Sequence, residues 1–158
     1  MTTLIKRTTL IVRDLGRSIA FYRDGLGLEV WYDDEVVLSG RGLAAGGAGD
    51  RTRLVILKAQ DPVIGMIGLL QWVDPELPGP TVRRDRLGIG DVVFVLHTDD
   101  LEAVMVRLQA LGTRVHAEPH LFEVRGADGR QLRMRSASVW DPDDYFLEIN
   151  QRLPSEAP

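Results

Sequence analysis

The sequence predicts an α+β fold made of two copies of one βαβββ module. Residues 8–30 run as an apolar strand, an Asp helix start, an amphipathic helix, a Leu-Gly stop and a second strand. Residues 93–115 repeat this order after a separation of about 86 residues, which indicates a duplicated supersecondary unit. Because a duplicated module commonly builds its pocket between the copies, we expect the chemistry of this chain where the two modules meet.

Composition narrows the class of protein. A chain of 158 residues fits one domain or two small halves that share a core. The net charge of −4 argues against a nucleic-acid partner, since nucleic-acid binders normally show a basic face. The absence of cysteine excludes disulfides and thiolate metal sites. With neither an apolar leader nor an apolar run long enough for a membrane span, we expect a cytoplasmic protein without a membrane partner.

The first module is predicted to span residues 1–73. Residues 4–12 are apolar and β-branched, which favours a strand, and Asp14 can cap the helix that follows. Helical spacing gives that helix an apolar face formed by Leu15, Ile19, Tyr22 and Leu26. Gly27 ends the helix, because glycine enters the left-handed conformation at little cost. Further strands are predicted at residues 28–32, 53–58 and 66–72, with a mobile Gly-rich loop at 39–50.

The second module is predicted to span residues 91–153, after a proline-rich linker at 74–90. Its strand at 92–97 leads to the Asp99-Asp100 helix start, and Gly112 stops the helix. Strands follow near residues 113–117, 131–138 and 145–150, while residues 118–130 form either an irregular strand or a loop. Residues 154–158 are predicted to be a frayed tail.

Two motifs resemble those of a known family. Residues 12–29 read Val-Arg-Asp-Leu-Gly-Arg-Ser-Ile-Ala-Phe-Tyr-Arg-Asp-Gly-Leu-Gly-Leu-Glu and resemble the opening of vicinal oxygen chelate (VOC) proteins. That superfamily includes glyoxalase I, bleomycin-resistance proteins and extradiol ring-cleaving dioxygenases. Asp141-Pro-Asp-Asp-Tyr-Phe-Leu-Glu148-Ile resembles its closing pattern, usually Asp-Pro-Asp-Gly-Asn followed by a strand that carries Glu. The resemblance implies that the two modules form an open, cup-shaped barrel, and on it alone we expect a homodimer.

The resemblance also places the family's metal site, where four side chains from four strands hold one divalent ion. The corresponding positions are Arg7, Gly68, Val93 (or Asp91 if the register slips by two) and Glu148. Arginine stays protonated and has no lone pair to donate, and glycine and valine carry no donor at all. One carboxylate does not hold a divalent ion tightly. We therefore expect no cofactor, with a divalent metal as the alternative and Glu148 as the only residual ligand candidate.

Glu148 and His97 are the candidate catalytic residues. Glu148 is predicted to act in the cup as a base or substrate anchor, or else to be a strand residue paired with an arginine. His97 lies four residues after Val93 and shares its face by strand alternation. It is either a general base near neutrality or a histidine at the rim. His116 and His120 lack a spacing typical of metal ligands.

Five residues are candidates for substrate binding: Arg7, Trp31, Tyr32, Val93 and Phe146. Arg7 either pairs with Glu148 in place of the lost cation and holds an anionic or carbonyl ligand, or points to solvent. Because Trp31 and Tyr32 are adjacent, one of them must face away from the packed side, where it could stack on a flat aromatic ligand.

Two classes of function follow from these patterns. The first is a small-molecule enzyme of the lyase, isomerase or dioxygenase-like kind, with a degenerate metal site and a metal-independent mechanism. The second is a non-catalytic protein that sequesters an apolar or aromatic compound, as bleomycin-resistance relatives do. The sequence leans towards the enzyme, and in both cases the partner is a small molecule.

Overall fold

The structure is a computed structural model that describes residues 3–154. The chain divides into two compact units between Val82 and Arg83, inside the predicted linker at residues 74–90. The predicted module boundaries stay predictions. The tail predicted at residues 154–158 lies, from residue 155 on, outside the described part of the chain. We call the two units the first and the second module.

The first module is a four-stranded sheet with one helical segment. Its elements are β1 (Arg7–Ile11), α1 (Leu15–Ile19), which continues as a π-helical segment (Ala20–Gly25), β2 (Glu29–Val37), β3 (Arg51–Lys58) and β4 (Met66–Asp74). The strand order is β1-β4-β3-β2. Strand β1 runs parallel to β4, and the other neighbours are antiparallel.

The second module repeats this topology. Its elements are β5 (Val93–His97), α2 (Leu101–Ala110), β6 (Arg114–Arg125), β7 (Gln131–Trp140) and β8 (Phe146–Arg152). The strand order is β5-β8-β7-β6, with β5 parallel to β8. The predicted α+β fold of two βαβββ modules is therefore confirmed. Among residues 3–154 no helix is long and apolar enough to cross a membrane.

The predicted helix boundaries are confirmed at both ends. The Asp14 carboxylate accepts a hydrogen bond from the Arg17 backbone N–H at 3.1 Å, and the Asp100 carboxylate accepts one from Ala103 at 2.9 Å. Each bond satisfies an N–H that has no partner inside the helix. After the helices, Gly27 has φ 82° and Gly112 has φ 70°, the left-handed conformation that glycine adopts cheaply.

Three strand boundaries differ from prediction by three residues or more. Strand β1 begins at Arg7 rather than residue 4, because its partner β4 begins at Met66 and Arg7 pairs with that residue. Strand β2 runs on to Val37 through acidic residues that interrupt the apolar pattern, since ion pairs to β3 hold it there. Strand β6 continues to Arg125 by absorbing two register shifts, so most of residues 118–130 is strand.

A glutamine fixes each helix on its sheet. The side-chain carbonyl of Gln71 in β4 accepts a hydrogen bond from Leu15 N at 2.8 Å, and that of Gln151 in β8 accepts one from Leu101 N at 3.3 Å. Because side chains alternate along a strand, these contacts define a helix face and a distal face for each sheet. On the helix face the central strands bury Val55, Leu57, Leu69, Ala137, Val139, Leu147 and Ile149, each at most 1% exposed.

An Asp-Pro turn leads into β4 and into β8. In the first module Asp61 Oδ1 accepts hydrogen bonds from the backbone N–H groups of Val63 and Ile64 at 2.8 and 2.9 Å. In the second module Asp141 Oδ1 accepts two backbone hydrogen bonds at 2.8 and 2.9 Å. The backbone N–H of Ile64, followed by that of Val63, lowers the pKa of the Asp61 carboxyl.

The Gly-rich segment before β3 forms a loop without strand structure, and hydrogen bonds close it. Leu38 N donates to the Asp50 carbonyl at 2.9 Å, and Asp50 Oδ2 accepts from Gly47 N at 2.8 Å and from Trp72 Nε1 at 3.0 Å. Gly46 has φ 65° and lies against Trp72, where a Cβ would come within 2.4 Å of the indole nitrogen. The mobility expected for this loop stays a prediction.

Candidate functional site

Strand register puts the four residues that the resemblance assigns to a metal site at matching points of the two sheets. The paired residues are Arg7 with Met66 and Thr9 with Gly68 in the first module, and Val93 with Phe146 and Val95 with Glu148 in the second. Arg7 therefore corresponds to Val93, and Gly68 corresponds to Glu148. All four positions lie on the distal faces, since they alternate with the helix-face residues. The two-residue slip that would put Asp91 at the third position does not occur.

The donors at these positions do not fit the divalent ion of the metal enzymes. Arg7 Nε donates to Thr9 Oγ1 at 3.0 Å, and Gly68 and Val93 have no donor. Asp91, the alternative, accepts from Gly88 N at 2.8 Å and forms an ion pair with Arg84. Within residues 3–154 no group of three or more His, Cys, Asp or Glu side chains could hold a metal. The expectation of no cofactor remains a prediction.

Glu148 is held by a buried amide. Asn150 Nδ2 donates to Glu148 Oε1 at 2.7 Å, and the two residues are neighbours on the distal face of β8. Asn150 is 7% exposed, and its Oδ1 is buried without a hydrogen-bond partner. A carboxylate and an amide carbonyl are therefore set side by side, and both are acceptors.

Two buried serines on β7 lie beside Glu148 and Asn150. Ser138 pairs with Glu148 and Ser136 pairs with Asn150 across the β7–β8 ladder. We name the four residues Ser136, Ser138, Glu148 and Asn150 the polar patch. Sequence reasoning found only Glu148, although strand alternation from Glu148 would have pointed to Asn150.

His97 lies at the edge of the polar patch. It pairs with Asn150 in the β5–β8 ladder, so it shares the distal face as predicted by alternation from Val93. Its side chain is 61% exposed, and Nε2 lies 3.4 Å from Asp99 Oδ1. This is the position of a rim histidine, and the catalytic role of His97 stays a prediction.

An aromatic cluster borders the polar patch, and we call His116, Trp140 and Phe146 the aromatic wall. Phe146 meets Trp140 edge to face with ring centroids 4.9 Å apart, and meets His116 in the same way at 5.4 Å. The Arg114 guanidinium carbon lies 4.6 Å from the centre of the Trp140 ring. Val93 lies at the same end of the distal face, where it pairs with Phe146 across the β5–β8 ladder. Phe146 and Val93 thus share the distal face with Glu148, and their substrate-binding roles stay predictions. The ring contact of His116 with Phe146 was not predicted.

Asp144 anchors the aromatic wall through Arg114. Arg114 Nη2 donates to Asp144 Oδ1 at 2.7 Å, and Arg84 N donates to Asp144 Oδ2 at 3.1 Å. Asp144 has φ 67°, a conformation that costs a residue with a Cβ about 1–2 kcal/mol. It occupies the place of Gly in the usual Asp-Pro-Asp-Gly-Asn pattern. The chain accepts this strain and gains a buried carboxylate that fixes Arg114.

The first module carries the remaining candidates. Tyr32 pairs with Ile56, which pairs with Gly68, so Tyr32 lies on the distal face. Trp31 is the extra residue of a β-bulge and is 53% exposed. The bulge breaks the alternation on which the prediction for this pair rested. The pairing of Arg7 with Glu148 and the ligand contacts of Trp31 and Tyr32 stay predictions.

Paired βαβββ modules with equivalent distal-face positions define the class of protein. The chain belongs to the Glyoxalase/Bleomycin resistance protein/Dioxygenase superfamily, whose family model matches residues 4–149. The resemblance of the two motifs to VOC proteins is therefore confirmed. A comparison with curated protein sequences finds no significant match.

Solved structures of the same fold include enzymes and binding proteins. A glyoxalase family protein from Bacillus cereus is 15% identical with a TM-score of 0.75, covering 97% of each chain. The trypanothione-dependent glyoxalase I of Leishmania major is 18% identical with a TM-score of 0.62, covering 95% of this chain and 87% of that one. TnmS3, an antibiotic binding protein from Streptomyces sp. CB03234, is 21% identical with a TM-score of 0.57, covering 96% and 98%.

Proposed function

We propose that this protein binds a small aromatic molecule on the distal face of the second module and needs no divalent ion to do so. One observation carries the proposal: the buried Oδ1 of Asn150 has no hydrogen-bond partner, while Nδ2 of the same amide is bound to Glu148. We infer that the molecule donates a hydrogen bond to this oxygen.

The physical reason is the cost of an unsatisfied acceptor. A buried carbonyl without a partner costs about 1–3 kcal/mol, and native proteins satisfy most such groups. The amide of Asn150 cannot exchange its two ends without turning its oxygen towards the Glu148 carboxylate. The required partner is therefore a donor, such as a hydroxyl or an N–H group.

The aromatic wall supports a flat ligand. Phe146 and Glu148 are two residues apart on the same face of β8, which separates them by about 7 Å. An aromatic ring placed against the wall can thus present a hydroxyl to the polar patch. An edge-to-face ring contact contributes about 0.5–1.5 kcal/mol beyond the area that it buries.

A second candidate function is proton-transfer catalysis by Glu148, in a metal-independent lyase or isomerase. The observation in its favour is that Glu148 Oε2 has no hydrogen-bond partner within residues 3–154. A half-buried carboxylate with one oxygen fixed and one available can accept a proton from a bound molecule. We also propose that the protein is cytoplasmic and forms a homodimer. Light scattering of the purified protein would test the homodimer.

A matched pair of ligands tests the binding proposal. Titration of the protein with 2-naphthol, followed by backbone amide shifts, should show saturable binding centred on Glu148 and Asn150. The ether 2-methoxynaphthalene lacks the donor and should bind about tenfold more weakly, the value of one hydrogen bond to a charged or buried acceptor. Equal affinities for the two compounds would contradict the proposal.

Substitutions in the polar patch test where 2-naphthol makes contact with the protein. Asn150→Leu and Glu148→Gln should each weaken 2-naphthol binding by about tenfold. Glu102→Gln makes the same acid-to-amide change on α2, which packs on the other face, and should leave the affinity unchanged. Metal analysis of untagged protein is the further check, since a stoichiometric divalent metal would overturn the metal-free site.

A further inference from the structure

We propose that Arg7 forms a carboxylate-binding subsite on the distal face of the first module. This inference does not depend on the proposed function, because it rests on residues of the first module alone. The subsite consists of Arg7, Thr9 and Gly68, with an apolar floor beside them.

The side chain of Arg7 lies against Gly68. A Cβ on Gly68 would come within 3.1 Å of Arg7 Cδ and 3.4 Å of Arg7 Nε. Only a residue without a side chain leaves this room, so the guanidinium position depends on glycine at 68.

One hydrogen bond orients the guanidinium and leaves its fork available. Arg7 Nε donates to Thr9 Oγ1 at 3.0 Å, and among the described residues of the first module Arg7 forms no ion pair and no further hydrogen bond. Two other arginines of this module are paired, Arg53 with Asp33 at 2.6 Å and Arg51 with Glu35 at 3.1 Å. Within its own module, Arg7 therefore keeps both terminal NH2 groups, with their four N–H bonds, available.

The residues around Arg7 favour a ligand in which a carboxylate is attached to an apolar group. Met66, Ile56 and Leu70 lie on the same face and are 3%, 5% and 6% exposed. A planar fork of two N–H groups matches the two oxygens of a carboxylate, and a single cation balances its single charge.

Benzoate is the probe, with benzamide and inorganic phosphate beside it. Backbone amide shifts of Thr9 and Gly68 should respond saturably to benzoate and should not respond to its neutral analogue benzamide. Arg7→Ala should abolish the response, and Arg7→Lys, which keeps the charge without the fork, should weaken it by about tenfold.

Two further variants test the placement of the guanidinium. Thr9→Val removes the acceptor for Nε at constant shape, and Gly68→Ala puts a Cβ 2.8 Å from Thr9 Oγ1. Both should weaken benzoate binding severalfold while Arg7 is kept. Lys6→Ala removes a neighbouring charge and should leave the affinity unchanged. An equal loss in Lys6→Ala and Arg7→Ala, an equal response to benzamide, or tighter binding of phosphate would each overturn the proposal.

Discussion

The distal faces of the two modules differ, although their strands align residue by residue. Across the first sheet one row reads Thr9, Gly68, Ile56 and Tyr32, and the matching row of the second reads Val95, Glu148, Ser138 and Ala117. The next rows are Ile11, Leu70, Leu54 and Asp34 against His97, Asn150, Ser136 and His120. The central strands are thus apolar in the first module and polar in the second.

The helix faces show the opposite behaviour. Leu69 and its counterpart Ile149 are both fully buried, and Gln71 and Gln151 hold the two helix starts in the same way. Burial against a helix restricts these positions to apolar residues of similar size. The comparison teaches that the module needs one face to fold, which leaves the other face free to diverge in chemistry.

The largest expected effect is on the free energy of unfolding, and it tests whether the two helix faces contribute equally to stability. Leu69→Ala and Ile149→Ala should each destabilise the protein by about 2–5 kcal/mol, because each leaves a cavity in a closed core. Urea unfolding measures both free energies. A cost below about 1 kcal/mol in one module only would show that the two helix faces are not equivalent.

The next effect concerns the anchor of the aromatic wall. Asp144→Gly relieves a backbone strain of about 1–2 kcal/mol but leaves Arg114 without its buried carboxylate, which costs about 3–5 kcal/mol. We therefore expect a net loss of about 2 kcal/mol in urea unfolding. Asp144→Asn is the control, since it keeps an acceptor and tolerates positive φ, and it should lose less. A stabilised glycine variant would refute the anchor role.

Much of the fold could be predicted because its signals are local. The Asp14 and Asp100 caps and the glycines after each helix act within one helical turn, so they are visible in the sequence. Strand β2 was predicted too short because ion pairs to β3 stabilise it, and cross-strand pairs are not adjacent in sequence. The Asp-Pro dipeptide stands before both β4 and β8, but only the second copy, in the closing motif, was used for prediction.

The candidate site was predictable only in part. Glu148 came from the closing motif, and register confirms its place on the distal face, whereas the serines of the polar patch follow from a ladder that pairs β7 with β8. Asn150 was accessible by alternation, but its unsatisfied oxygen depends on three-dimensional burial. The contact between Arg7 and Gly68 joins residues distant in sequence, so no local pattern could have shown it.

Replacing a polar distal-face residue of the second module by its apolar counterpart from the first module is expected to raise the stability of the protein slightly. Asn150→Leu installs the residue found at the matching position 70, removes an unsatisfied buried acceptor and adds apolar burial. Loss of the hydrogen bond from Asn150 Nδ2 to Glu148 offsets part of this gain. We therefore expect a gain below about 1 kcal/mol in urea unfolding, alongside the loss of 2-naphthol binding. Gln151→Leu on the helix face is the control and should destabilise, because it removes the partner of Leu101 N. Destabilisation by Asn150→Leu would mean that the amide serves the fold.

The smallest expected effect is the pH dependence of stability that the Asp-Pro turn of the first module confers. The pKa of Asp61 is lowered by the backbone N–H groups of Ile64 and Val63, so the ionised carboxylate stabilises the folded state above the unfolded pKa of about 3.9. This contribution is lost as the pH falls through the lower folded value. Asp61→Asn keeps an acceptor without the charge, so it should be less stable than the parent at pH 7 and equal to it near pH 2. Urea midpoints across this range measure the difference, and Asp85→Asn controls for net charge. A difference that persists at the acid end would mean that the turn needs the shape of aspartate and not its ionisation.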